Sequence, residues 1–232
     1  MSYFPFFMEI GQKPCLVVGG GVVALRKIEK LHPFGTEITV VSPAFCAELL
    51  EFLELHGIRR IQRPFLAEDI EGMAFVIGAT DNEAVNAKIA NLCRERNIPV
   101  NIVDDREKCS FFFPALVKRG EFVAGFTSGG GSPLAAQYIR KQVEESIPQH
   151  FDRTIEQLSA VRERIKAEIT DSRRREAVFR ALFALALEKE GNITEEEINA
   201  ILEKEKSLDG RNCLSKERKQ HEKEHPNRQP KK

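Results

Sequence analysis

The chain has 232 residues, 42% of them hydrophobic, enough for one ordinary α/β domain and a smaller second unit with real cores. Lysine plus arginine number 35 and so do aspartate plus glutamate, so the balance gives no footprint for nucleic acid. No apolar run reaches the ~18 residues of a membrane span, and the N-terminus lacks a basic region and an export-type apolar segment, so a cytoplasmic chain with no membrane partner is expected.

MSYFPFFMEI reads as an extended lead-in whose Phe4, Phe6 and Phe7 cover one sheet edge. The stretch Cys15 to Leu31, CLVVGGGVVALRKIEKL, organises the rest of the chain. Apolar Leu16, Val17 and Val18 meet Gly19, Gly20 and Gly21, and helical spacing begins at once with Val22, Val23, Ala24, Ile28 and Leu31. Strand, glycine turn and helix is the order a dinucleotide pyrophosphate site needs. Gly19 permits the turn, Gly21 lets the backbone approach the phosphates, and Ala24 stands where the helix must pack close to the sheet. N–H groups at the helix N-terminus then face the anion. A glycine turn that joins strand to helix with no ligand is the alternative reading.

Glu37 to Ser42 (EITVVS) is a β-branched strand ended by Pro43. Ser42 stands where a ribose-binding carboxylate is usual; its hydroxyl can bond a ribose but does not distinguish NAD from NADP. Phe45 to His56 reads as an amphipathic helix, Ile58 to Gln62 as a strand, and Met73 to Ala79 as a buried parallel strand. ATDNEAVN, from Ala79 to Asn86, opens the next helix with Thr80 or Asp81 as N-cap. The same residues stand at the carboxyl end of a central strand, where ribose or nicotinamide would lie. Helix Glu83 to Arg96 leads to strand Pro99 to Val103, which completes a Rossmann-like, doubly wound parallel sheet with helices on both faces.

That last strand ends in Asp104 and Asp105. Asp104 is the candidate catalytic residue, because a carboxylate past the end of a buried strand stands over the crevice where open α/β sheets bind ligands. A turn aspartate bonded to its own backbone is the alternative, a pattern that Asp105 before Arg106 also fits. Cys15, Cys46, Cys93, Cys109 and Cys213 form no CxxC pair and are expected as free thiols. The histidines, His221 and His225 among them, lack metal-ligand spacing, so no metal site is expected.

From Cys109, CSFFFPALVKRG is an apolar segment broken by Pro114 with a turn at Lys118 to Gly120, followed by a strand from Glu121 to Thr127. Ser128, Gly129, Gly130, Gly131 and Ser132 then lead into a helix from Leu134 to Glu145, with Ser132 as N-cap and Pro133 in the first turn. Their N–H groups form a second anion site; a routine capped loop is the alternative. Arg106, Lys108, Lys118, Arg119, Arg140 and Lys141 lie close in sequence to the crevice and suit a polyanionic substrate, or are solvated surface charges. Amphipathic helices span Arg153 to Lys166 and Arg175 to Lys189, and Thr194 with Glu197 forms the capping box of a third. From Glu203 to Lys232 ten basic residues outnumber six acidic ones in a stretch poor in apolar residues, so a disordered tail is expected.

CLVVGGGVVALRKIEKL, the strand ending VVSP, ATDNEAVN, VNIVDD, CSFFFPALVKRG and TSGGGSP occur in this order over about residues 3–149. In these motifs the chain resembles the precorrin-2 dehydrogenases, which also form the N-terminal part of siroheme synthases. The resemblance implies NAD-dependent oxidation of the tetrapyrrole precorrin-2 to sirohydrochlorin, on the route to siroheme. It also implies a homodimer in which the segment after Phe113 crosses between subunits. By position, Asp104 matches the catalytic aspartate, and Ser128 matches the substrate-loop serine, with Gly129, Gly130 and Ser132 beside it. Cofactor contacts are expected from Gly19, Gly20, Gly21, Val22, Val23, Ser42, Pro43, Ala79, Thr80 and Asp81; of these Gly19, Gly21, Val22 and Thr80 fall on the family's cofactor-contacting positions. VSP without an acidic residue is normal in the family, so Ser42 is compatible with NAD. Some relatives also insert ferrous iron into sirohydrochlorin, where the same carboxylate would take the pyrrole protons, which leaves chelatase activity open.

The expected division is an NAD-binding Rossmann domain over 1–113, a dimerisation and substrate-loop segment over 114–149, a helical domain over 150–208 and a charged tail over 209–232. Specific motif matches stop near Gln149, and from the length of the sequence the methyltransferase domain of a trifunctional synthase is not expected. A nucleotide-sensing regulatory module also pairs a glycine loop with ATDN-like segments, but it does not require VNIVDD, FFFPA and TSGGGSP downstream. A non-catalytic interaction protein built on the same scaffold is disfavoured by the intact Asp104 and glycines.

Overall fold

A computed structural model describes residues 4–207; the tail of 209–232, with Cys213, His221 and His225, lies outside the described residues. The chain divides into two compact units, Met1–Phe113 and Pro114–Lys232.

The first unit alternates strand and helix: β1 (Pro14–Val18), α1 (Val22–Leu31), β2 (Glu37–Ser42), α2 (Ala47–Leu55), β3 (Arg59–Gln62), β4 (Phe75–Gly78), α3 (Glu83–Glu95) and β5 (Val100–Ile102). The strands are all parallel in the order β3-β2-β1-β4-β5. Strand periodicity divides the core between the two faces. Cys15, Val17, Val40, Phe75 and Ile77 pack with Ala24, Ile28, Leu49 and Leu53 of α1 and α2. Leu16, Val18, Val41 and Val76 pack with Ile89, Ala90 and Cys93 of α3. Both faces are covered, which is why β1 and β4 read as unbroken apolar runs. The chain leaves β1 toward β2 on one side, and β4 lies on the other, so the carboxyl ends of β1 and β4 flank the topological switch point.

The structure corrects two expectations. Phe4, Phe6 and Phe7 are 84%, 75% and 75% exposed and cover no sheet edge. The β5 edge is occupied instead by residues 109–111. Ser110 exchanges backbone and side-chain hydrogen bonds with Val100, and the Cys109 thiol sulfur accepts the Ile102 N–H. The N-cap of α3 is Asn82, not Thr80 or Asp81: its side chain accepts the Val85 N–H. The strand ends at Gly78 and the intervening residues turn before helical geometry begins.

Between β3 and β4, Asp69 is held by both guanidinium nitrogens of Arg63 (2.8 and 2.6 Å) and by the Leu66 N–H, with its side chain only 6% exposed. The Arg63 hydrogen bond, with help from the Leu66 N–H, holds this carboxyl below its ordinary value. A lowered folded-state value means stability present above about pH 4 and lost as pH falls through the lowered range. Asp69→Asn is therefore expected to lower the urea midpoint at pH 7. The gap to wild type should close on acidification, as urea titrations at a series of pH values would read.

The second unit opens with an antiparallel hairpin of β6 (Ala115–Arg119) and β7 (Phe122–Phe126), so the apolar segment around Pro114 supplies the partner strand of the expected one. Then come α4 (Pro133–Ser146), α5 (Phe151–Glu168), α6 (Ser172–Glu188) and α7, residues 195–207. Val161, Ile165, Val178, Leu182, Ala186, Ile198 and Leu202 form the core of the last three helices. Thr194 and Glu197 make the reciprocal capping bonds expected of them, Glu197 N–H to Thr194 Oγ1 and Thr194 N–H to Glu197 Oε2. No helix among the described residues is long and apolar enough to cross a membrane.

Candidate functional site

Three loops meet at the carboxyl edge of the sheet in the first unit. Gly19 has φ +138°, and a Cβ there would come within 2.2 Å of the Ala79 carbonyl oxygen. A Cβ on Gly20 would lie 1.7 Å from the Ala44 carbonyl oxygen and 2.6 Å from Ser42 Oγ. Only glycine lets the β1–α1 turn be clasped between the β4–α3 and β2–α2 loops. Gly21 differs: a Cβ there meets nothing within 4 Å, so its freedom leaves open space at the start of α1.

Gly21 is the N-cap of α1 and offers no side-chain cap; Leu25 is the first residue to bond back to it. The preceding N–H groups, including those of Val22 and Val23, are the unsatisfied donors of a helix N-terminus. Ala24 is fully buried against the sheet, as its place in the motif requires. Donors, positive helix dipole and empty space coincide at the switch point, and that combination fits a pyrophosphate.

The side chains at the loop ends are less available than their positions suggest. Ser42 is buried, and its hydroxyl donates to the Ala44 carbonyl at 2.6 Å, so that proton shapes the loop under Gly20 and is not free for a ribose. Pro43 beside it is exposed. Thr80 Oγ1 donates to Asn86 Oδ1 at 2.8 Å and accepts the Asn82 N–H, while Asp81 is exposed. What the β4–α3 loop offers is mainly backbone and shape.

The adjacent aspartates separate. Asp105 accepts the Lys108 N–H and pairs with Lys108 Nζ at 2.5 Å, contacts that hold its carboxyl low, so it is the turn-forming residue. Asp104 lies two residues past the end of β5, exposed, at φ +61°, with no hydrogen bond or ion pair among the described residues. A non-glycine residue in the left-handed region is uncommon and is held there by its surroundings. Here the Asp105 N–H bonds the Ile102 carbonyl, and the Cys109 sulfur lies 3.1 Å from both the Ile102 and Asp105 carbonyls. Burial raises the Cys109 thiol above its ordinary value, so it stays protonated and serves the turn rather than acting as a nucleophile. Lys27 of α1 sits 4.5 Å over the Phe113 ring; burial and Lys30 lower its affinity for a proton, and the charge of Asp104 partly restores it.

In the second unit, Ser128, Gly129, Gly130 and Ser132 form an exposed to half-buried loop at the N-terminus of α4. Ser128 Oγ accepts the Ser132 N–H and Ser132 Oγ accepts the Ala135 N–H, while Gly129 and Gly130 take φ +64° and +85°. Lys108, Arg140 and Lys141, among the basic residues considered for a polyanion, pair with carboxylates of neighbouring residues. No cluster of three metal-ligating side chains occurs among the described residues.

Sequence reasoning does not single out Asn86. It stands on the same inward helical stripe as Ile89, Ala90 and Cys93, and a polar residue on an otherwise apolar stripe is the available signal.

A family model described as "Putative NAD(P)-binding" matches residues 6–115. The chain is 38% identical over 195 residues to a siroheme synthase of Thioalkalivibrio sulfidiphilus, covering 84% of this chain and 39% of that one. It is 39% identical over 176 residues to a siroheme synthase of Methylococcus capsulatus, covering 75% and 37%. The chain thus spans under two-fifths of the length of these curated relatives. The solved structure of SirC, a precorrin-2 dehydrogenase, superposes with a TM-score of 0.64 at 21% identity, covering 88% of this chain and all of that one, a likeness of fold.

Proposed function

Since the chain is a homologue of the siroheme synthases and carries an NAD(P)-binding domain over residues 6–115, we propose that it oxidises precorrin-2 to sirohydrochlorin with NAD as acceptor. The observation that carries this reading is an unpartnered carboxylate, Asp104, at the same sheet edge as an uncapped helix N-terminus and a glycine clasp.

The reaction removes one hydride and one proton from the tetrapyrrole. When bound, NAD supplies the hydride acceptor. The N–H groups of Gly21, Val22 and Val23 would hold its pyrophosphate, Pro43 would line the adenosine side, and Ala79, Thr80 and Asp81 would line the nicotinamide side. Asp104 takes the proton at a carboxylate oxygen that no protein donor occupies. Backbone N–H groups of the Ser128 to Ser132 loop, at the N-terminus of α4, bind substrate carboxylates. A homodimer belongs to this reading: α4 buries none of its residues and leaves Leu134, Tyr138 and Ile139 exposed.

The test is anaerobic. Purified protein, NAD and precorrin-2 generated in situ should yield NADH and the sirohydrochlorin spectrum together. NAD binding with no NADH formed would leave a nucleotide-sensing module instead. Ferrous ion added after oxidation tests for metal insertion by its change in the tetrapyrrole spectrum.

A further inference from the structure

Asn86 is 9% exposed in the first turn of α3, yet it faces the end of β4 and spends its whole carboxamide on one residue. Its Nδ2 donates to the Thr80 carbonyl at 2.9 Å, and its Oδ1 accepts the Thr80 hydroxyl at 2.8 Å. The Thr80 oxygen accepts the Asn82 N–H at 3.2 Å, and Asn82 in turn caps the helix. Gly78 makes room for this arrangement: a Cβ there would sit 3.3 Å from Asn86 Oδ1 and 2.6 Å from Ile102 Cδ1. Backbone, hydroxyl and carboxamide thus tie the loop that leaves the strand to the first turn of the helix.

We propose that Asn86 is the positioning residue of the β4 wall of the cofactor crevice, and that it, not the cofactor, receives the Thr80 hydroxyl. The inference rests on the NAD reading of the site. The Ala79 carbonyl is one of the two surfaces that clasp the glycine turn, since it is the atom a Cβ on Gly19 would strike. A loop freed at Thr80 would relax against that turn, and the turn carries the pyrophosphate donors. Buried amide groups that pair at both ends favour one geometry, because any displacement leaves polar atoms without partners.

NAD affinity is measured by calorimetry, and backbone order at residues 79–82 by hydrogen exchange of the NAD-free protein. Asn86→Ala should weaken NAD binding about tenfold and speed exchange at 79–82, with kcat at saturating NAD within about threefold of wild type because Asp104 is untouched. Thr80→Val should give a similar loss, the double variant no more than either single one, and Thr80→Ser near-wild-type affinity. Weakened binding in Thr80→Val with normal binding in Asn86→Ala would overturn the proposal in favour of a direct bond from Thr80 to the cofactor. An Asn86→Ala protein that melts earlier but binds NAD normally would also overturn it. If wild type binds no NAD, the functional reading falls and this inference with it; normal NAD binding by both proteins sinks this inference alone.

Discussion

Asp104→Ala is expected to lower the rate of precorrin-2 oxidation by about a thousandfold while NAD affinity stays within about twofold of wild type. Loss of a positioned general base costs roughly two to four orders of magnitude, and the neighbouring carboxylate on the same loop is not free to replace it. Asp105 is one residue away but engaged by Lys108 through its backbone N–H and its ammonium. NAD affinity should be spared because the proposed pyrophosphate donors belong to the start of α1 and not to the β5 loop. Asp104→Asn keeps shape and left-handed backbone, which asparagine tolerates, and should be nearly as inactive. Stopped-flow detection of NADH under anaerobic conditions reads the rate. Full activity in Asp104→Asn would remove it from the reaction and leave the rest of the NAD site standing.

The second large effect falls on Gly20. In Gly20→Ala the new methyl would lie 1.7 Å from the Ala44 oxygen, a backbone atom that cannot rotate aside. The β1–α1 turn must move, and with it the 2.7 Å bond from the Cys46 N–H to the Gly20 carbonyl. Overpacking of this kind costs about 1–3 kcal/mol, and NAD affinity should fall by at least about tenfold because the donors at the start of α1 move with the turn. Gly21→Ala is the matched control. Nothing stands within 4 Å of its Cβ, so the loss should be confined to the helix-capping preference, about 0.5–1 kcal/mol. If NAD binding nevertheless collapses in Gly21→Ala, the methyl is meeting the cofactor itself. Should Gly20→Ala fold and bind NAD as wild type does, the clasp between the loops is not what holds the site.

The parallel sheet and its helices are legible in the sequence because their determinants are local. Period-2 and near-continuous apolar runs mark β1, β2 and β4, and the three-to-four spacing of Val178, Leu182, Leu185 and Ala186 marks α6. Ser132 before Pro133, and Thr194 three residues before Glu197, announce helix starts through bonds that span a single turn. The candidate site is legible as a set of positions: every residue assigned to the cofactor lies at the carboxyl edge of β1, β2 or β4. Even there, neighbouring residues mislead. Asn82, not Thr80 or Asp81, caps α3, since one residue of turn more or less is invisible to propensity.

By itself the sequence determined the order of strands and helices, the glycine turn at the first crossover, and the placing of an aspartate pair at the end of β5. The folded turn decided which aspartate is free: Lys108, three residues on, reaches Asp105 and not Asp104, in line with the turn pattern that Asp105 fits in the sequence. Tertiary structure alone decided that Gly20 is sterically required while Gly21 is open, because the obstacle is a carbonyl two dozen residues away in sequence. Ser42 and Thr80 stand in the sequence as hydroxyls for a cofactor, and packing gives their protons to Ala44 and Asn86. The N-terminal phenylalanines suit an edge cover, and at β5 Cys109 and Ser110 hold that place instead. The physical reason is common to these cases: a side chain's chemistry and the local backbone pattern are written along the chain. Which partner satisfies or frees a polar group, a near one for Ser42, Thr80 and Asp105 or a distant one for the glycine clasp, is fixed only when the loops fold into one space.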